Sequence, residues 1–428
     1  MPSPIPLNLQ AFRQDTFRAL ASRNFRLYWT GQLISLMGTW MQQTAMSWLI
    51  YRLTNNSSLL GLMAFVSQAP SLLISPVSGI LADRIDRRKL LILTQTVNML
   101  QAAVLTWLTI RGDITMHTLV WMGLVLGVSS GFEVPVRQAY VMDLLDDPQD
   151  LSNAVSLNSA VFNLGRLVGP ALAGIAISRL GEGWCFFLNA LSYVGVIVAL
   201  FLIQTTRATI QAETQGGYWA SIKEGVTYAY RFQPIRVLLI TVNLFCLLCV
   251  PFNVLLPAFA KEIMHGGAST LGILMASIGF GALCAGIYLA GRRSVVGLGR
   301  VIPTAAWVFC VSLLLAALTR NLPLLCVLLA INGFTFIGLL ASCNIMLQTI
   351  ADADKRGRIM SLYVMAYGGV APLGSLLLGF GARYLGLLPM MVVSALFAAA
   401  IAIFFMRHRL LLREQIRPIY INKGILPA

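Results

Sequence analysis

The chain has 428 residues, of which 57% are hydrophobic and 11% charged, with a mean hydropathy of +0.77. A soluble domain carries about 25% charged residues, so this composition cannot cover a water-facing surface. It excludes a string of soluble domains, a disordered chain and a disulfide scaffold, and describes a polytopic membrane protein. The net charge of +15 is spread in short clusters between apolar runs, not gathered in one patch, which argues against nucleic acid as a partner.

In chain order, Met1 to Arg26 holds four arginines and no apolar core. That pattern is not a cleavable signal peptide, and the first long helix is expected to stay as an anchor. A span needs about 20 mostly apolar residues. Twelve stretches qualify: Leu27–Tyr51, Ser58–Ala82, Leu90–Ile110, His117–Met142, Ala154–Ile177, Trp184–Ile203, Val237–Ala260, Thr270–Ala290, Val301–Leu318, Leu324–Ile350, Ile359–Ala382 and Leu387–Met406. With the N-terminus inside, the inner segments hold 23 Lys and Arg, whereas each of the six outer loops holds one. The bias places both termini in the cytoplasm.

The longest stretch outside the spans, 204–236, divides the chain into two six-helix sets, 1–203 and 237–428. Its first part is polar and linker-like. Its second, Tyr218–Arg231, sets Trp219, Ile222, Val226 and Tyr230 at helical spacing, as in an amphipathic helix lying on the inner membrane face. The halves repeat: Ser156-Leu157 with Gly169–Gly174 is matched 205 residues later by Ser361-Leu362 with Gly374–Gly379. Parallel six-helix repeats point to a transporter whose halves rock about a central site. The fold expected is therefore an all-α membrane protein of two six-helix bundles.

Four groups of residues carry chemistry. The turn after the second span reads Gly79-Ile80-Leu81-Ala82-Asp83-Arg84-Ile85-Asp86-Arg87-Arg88-Lys89. Gly79 permits close helix approach, and Asp83 is an anion at the membrane edge, able to meet a helix N-terminus. The basic run Arg87-Arg88-Lys89 reads most simply as a topology signal. The fifth span carries Gly165, Gly169, Pro170 and Gly174, either a bend with functional meaning or a packing seam.

Inside the spans, Glu133 is the single deep carboxylate among 16 acids. Arg137 lies four residues on, on the same helix face, and Arg166 lies mid-span in the next helix, so one carboxylate and two guanidinium groups are expected to meet. Intramembrane charges cost several kcal/mol unless paired and usually mark function. Glu133 is either a proton carrier that changes partners or a permanent counter-ion. The uncharged cavity candidates are Gln42, Gln43, Gln68, Asn243, Asn253, Asn332 and Asn344, with Trp40 and Phe336 among the interspersed aromatics. As a set they suggest a mainly apolar, amphipathic substrate. No nucleotide loop or metal-ligand cluster is visible, so neither an enzyme nor a cofactor is expected.

The Gly79–Lys89 turn resembles the loop between helices 2 and 3 of the major facilitator superfamily, with Asp86 in place of the usual Gly. The helix 5 segment resembles the GP-containing motif of the drug:proton antiporters. The helix 1 onset (Asn24 to Trp29, Gly38 to Trp40), the Pro135-x-Arg137 segment and Gly357 to Ser361 are similar to the branch containing the enterobactin exporter and macrolide efflux proteins. The resemblance implies a cytoplasmic gate of Gly79, Asp83, Arg84, Arg87 and Arg88, with Asp83 meeting helix 11 near Ile359–Ser361. It also implies a cavity lined by helices 1, 4, 7 and 10. Thr39 stands where relatives often carry an acid, so a proton site in helix 1 is absent. The implied function is export of a drug, macrolide or siderophore by alternating access, with protons and membrane lipid as partners, by a functional monomer in the bacterial inner membrane. A lipid or lysolipid transporter, a proton-independent facilitator and a non-transporting scaffold stand as alternatives.

Overall fold

The structure, a computed structural model, describes residues 17–203, 218–292, 294–352 and 354–426; the side chains of 76–77, 79–84 and 218–223 fall outside that description. The expectations about the N-terminal arginine-rich stretch before residue 17 and about the polar linker 204–217 therefore lie outside the described residues. So does the gate role assigned to the side chains of Gly79, Asp83 and Arg84.

The described residues are helical, with no strand among them. The first set is α1 (Arg23–Thr54), α2 (Ser57–Arg84), α3 (Arg87–Arg111), α4 (Met116–Asp143), α5 (Leu151–Leu180) and α6 (Glu182–Leu202). Then comes α7 (Tyr218–Arg231). The second set begins with α8, which starts as Gln233–Leu248 and continues through tighter and wider turns to Ile263. Pro251 and Pro257 each remove a backbone donor there. It is followed by α9 (Ala268–Ala290), α10 (Leu298–Leu318), α11 (Leu322–Ile350), α12 (from Arg356 to Leu385, with a wide turn at Ala366–Val370) and α13 (Leu387–Asn422). The spans predicted seventh to twelfth are thus α8 to α13.

Eleven of these helices are long and apolar enough to cross a membrane. α1 has the length, 32 residues, but not the apolarity. The physical reason is that Gln32, Ser35, Thr39 and Gln43 line the cavity between the helices. α13 runs on to Asn422, well past the predicted end at Met406, and Lys423 Nζ beyond it donates to the Thr349 carbonyl at 2.6 Å.

Within the first set α1 packs on α5 and α6, α2 on α4, and α3 on α4 and α6. Within the second, α9 and α10 pack on α11, and α13 on α8 and α10. The two sets meet along α5–α9 and α2–α12. Small residues make both seams. A Cβ on Gly272 would lie 2.6 Å from the Pro170 carbonyl oxygen, and one on Gly379 would lie 2.8 Å from Gly61 Cα. Gly174 and Gly379, the paired positions of the sequence repeat, thus take equivalent places in the two seams, Gly174 against Gly272 and Gly379 against Gly61.

The turn between α2 and α3 is tied inside the first set. Asp86 caps α3, accepting from the Arg88 and Lys89 amides at 2.9 and 3.4 Å. Its φ of −55° needs no glycine, so the departure from the usual Gly supplies a cap. Arg87 pairs with Asp143 of α4 at 3.0 Å, and Arg88 donates to the Leu200 and Phe201 carbonyls of α6 at 2.6 and 2.9 Å. These side chains have specific partners, beyond the topology reading given them from sequence alone.

The amphipathic helix α7 is held to the second set. Glu224 pairs with Arg358, Tyr228 donates to Asp352 at 2.8 Å, and Lys355 Nζ lies 4.8 Å from the centre of the Tyr228 ring. Val226 and Tyr230 stay exposed.

Candidate functional site

A cavity of about 460 Å³ lies between the two sets of helices. Glu133, Arg137, Arg166, Pro170, Trp40, Gln43, Gln68, Asn253 and Phe336 line it. Four other candidates face elsewhere. Gln42 is buried in a chain of amides, donating to Gln101 at 2.9 Å and accepting from Asn189 at 2.8 Å. Asn332 is fully buried and donates to Ser312 and the Leu328 carbonyl. Asn243 donates to the Leu239 carbonyl one turn back, and Asn344 accepts from Gln348. Gln42 and Asn332 thus tie helices together, whereas Asn243 and Asn344 bond within their own helices.

The lining draws on more helices than 1, 4, 7 and 10. α2 supplies Ser67 and Ser71, α3 Asn98, α6 Tyr193, α9 Met275 and Ile278, and α12 Tyr367 and Ser375. Ser67, Gln68 and Ser71 form a polar stripe at helical spacing that was legible in the sequence. Asn98 and Tyr193 carried no such signal. The Thr39 hydroxyl, where relatives often have an acid, meets the Tyr193 hydroxyl at 3.3 Å.

The charges separate into two sites. Glu133 Oε1 lies 3.5 Å from Arg137 Nη1, and Glu133 Oε2 accepts from Asn98 Nδ2 at 3.1 Å. Both oxygens of the carboxylate are therefore held by donors. Arg166 does not join this pair. Its guanidinium carbon lies 5.3, 5.5 and 5.8 Å from the ring centres of Trp40, Phe162 and Phe336, and it donates to the Tyr367 hydroxyl at 3.4 Å. The expected meeting of one carboxylate with two guanidinium groups is thus replaced by a pair and a separate cation over aromatic faces. The reason is geometric: α5 turns Arg166 toward α11 and α12, not toward α4.

The motif of α5 explains that setting. A Cβ on Gly165 would lie 3.0 Å from Trp40 Cδ1, and one on Gly169 would lie 2.5 Å from Trp40 Cβ. These glycines press α5 onto α1 and bring Trp40 beside Arg166. Gly174 meets Gly272 of α9 on the other side.

At the end away from the basic clusters the sets are stitched together. Tyr51 donates to Glu262, Lys261 donates to Asn55 at 2.7 Å, and Ser57 donates to the Gly379 carbonyl at 3.2 Å.

The sequence model of a family described as transmembrane secretion effector matches residues 14–420. The chain belongs to that family. Among curated relatives, the staphyloferrin A transporter of Staphylococcus aureus (strain NCTC 8325 / PS 47) is 25% identical, the match covering 85% of this chain and 90% of the relative. The multidrug efflux pump Tap of Mycolicibacterium fortuitum is 23% identical, over 78% and 83% of the two chains. The fold is shared with a crystal structure of a bacterial homologue of the human lysosomal transporter Spinster, in an inward-facing and unoccupied conformation. Its TM-score is 0.70 at 13% identity, covering 91% of this chain and 98% of that one. This secretion effector is a multi-pass membrane transporter of the major facilitator type with efflux relatives, and not an enzyme.

Proposed function

We propose that this secretion effector exports a small amphipathic molecule, of siderophore or drug type, across the bacterial inner membrane by alternating access, in exchange for protons. Its two six-helix sets, 1–203 and 237–428, move as bodies joined by 204–236. Both termini face the cytoplasm, and the basic end of the cavity is the cytoplasmic end. The observation that carries the reading is the cavity between the sets, in which Glu133 is the one described acid.

The ties between the sets at the far end support an inward-facing state. In that state Glu133 is paired with Arg137, the arrangement an antiporter needs after releasing its proton inside. As the halves rock, the Glu133 carboxylate exchanges its Arg137 partner for a proton. A proton from outside then fills the place of the salt bridge and is carried inward while substrate leaves. The relatives' printed functions, siderophore transport and multidrug efflux, support the substrate class.

The test is growth of an efflux-deficient host on a panel of siderophores, macrolides and dyes, followed by flux in proteoliposomes with and without a pH gradient. The expected result is resistance to one class, with flux driven by the gradient and lost in Glu133→Gln. Gradient-independent flux retained in that variant would leave export standing and reduce Glu133 to a counter-ion. No flux of any panel compound, with lipid transport in the same vesicles, would replace export by a lipid function.

A further inference from the structure

Two arginines line the cavity, but only Arg137 pairs with a carboxylate. With Glu133 as the single described acid, the lining carries one negative group against two positive ones. The excess resides at Arg166. Its cation is flanked by the rings of Trp40, Phe162 and Phe336, and its one side-chain hydrogen bond among the described residues is the 3.4 Å contact to Tyr367. A guanidinium offers five donors in a planar fork, so most of that fork is free to face the lumen.

Aromatic cages commonly recognise ammonium groups. Here the protein's own cation occupies the ring faces, so a cationic ligand would meet repulsion where it should find attraction. The rings hold the guanidinium plane without neutralising it. The group that completes such a site is a planar oxyanion, which can take two parallel N–H donors. The neighbouring Met275 and Ile278 suit an apolar body attached to that anion.

We propose that Arg166 is the anion-recognition residue of the cavity, and that the transported molecule carries a carboxylate on an aromatic or apolar body. This rests on the export reading above and names its substrate class. The site also spans the two sets of helices: Trp40 and Phe162 come from the first, Phe336 and Tyr367 from the second. A carboxylate bound to Arg166 competes with the Tyr367 hydroxyl for the fork and loosens one tie between the sets. Occupancy of the site is thereby linked to opening.

The test is calorimetric binding to the purified full-length protein of three probes sharing one body: naphthoate, naphthamide and naphthylmethylammonium. The wild type is expected to bind naphthoate about tenfold or more tightly than naphthamide, the range for hydrogen bonds to charged groups, and the ammonium probe most weakly. Arg166→Gln should abolish the preference while keeping naphthamide affinity within about twofold. Arg166→Lys, which keeps the charge without the planar fork, should retain part of it. If Arg166→Gln does not elute as a folded monodisperse species, the probe series on the wild type and on Arg166→Lys decides alone. Equal affinity for the three probes, no detectable naphthoate binding, a preference for the ammonium, or an undiminished preference in Arg166→Gln would each overturn the proposal. Export in proteoliposomes without carboxylate preference would sink this inference and leave the export reading. Carboxylate preference without export would do the reverse.

Discussion

The two sets of helices share a frame and differ in what they show the cavity. Both use small residues to meet across α5–α9 and α2–α12, and the repeat-related Gly174 and Gly379 occupy equivalent places. Yet Glu133, Arg137 and Arg166 all come from the first set, as do Asn98, Thr39 and Tyr193, whereas the second offers Asn253, Tyr367 and Ser375 among mostly apolar side chains. Packing symmetry is kept because each seam tolerates no side chain. Cavity symmetry is free to be lost because a lumen constrains volume loosely.

The harshest way to break this comparison is to fill a seam. Gly272→Val and Gly379→Val should each cost several kcal/mol through backbone overlap, read as loss of the monodisperse folded species in detergent. Collapse of only one variant would show that the seams are not equivalent.

Next in size is the charged pair. Arg137→Gln leaves the Glu133 carboxylate without its ionic partner, at a cost of about 3 kcal/mol for a largely buried pair. The double variant with Glu133→Gln should recover much of that in thermal melting. Asn253→Leu on the opposite face is expected to move the melting temperature little, the change staying within about 0.5 kcal/mol. Equal losses at both faces would cancel the asymmetry.

A smaller effect concerns the stitched end. Tyr51→Phe removes the hydrogen bond to Glu262 and should shift the balance toward opening at that end by about 1 kcal/mol, roughly fivefold. Spin-label distances between the ends of α1 and α8 would register the shift, and unchanged distances would refute the latch. Asp86→Ala should cost about 1 kcal/mol through loss of the α3 cap, whereas Asp86→Gly should cost only a few tenths.

The mildest test is alkaline. Burial, and then the hydrogen bond to Asp352, hold the Tyr228 hydroxyl above its usual value of 10. A raised folded value means that the contribution to α7 docking is full below pH 10 and lost as pH rises beyond it. A probe on α7 should report release at high pH, and the Tyr228→Phe protein should show no such step.

Much of the site was legible because charge in a span is costly. Glu133, Arg137 and Arg166 stood out on that ground alone, but the i,i+4 spacing of the first two does not decide which arginine partners Glu133. The amides were less legible. Gln42 and Gln43 are neighbours in sequence, yet one is buried against Gln101 and Asn189 while the other lines the lumen. A step of about 100° around a helix separates a packing contact from a cavity group, and composition does not say where the lumen lies.

By itself, the sequence determined the membrane class, the spanning segments, the charge bias and the glycine repeat. Each follows from local chemistry: apolar length, the cost of buried charge, and the absence of a side chain. Only the tertiary structure decided which partner each polar group meets. Arg166 faces the rings of Trp40, Phe162 and Phe336 and not Glu133, because the glycines of α5 set how that helix lies on α1 and so which way its arginine points.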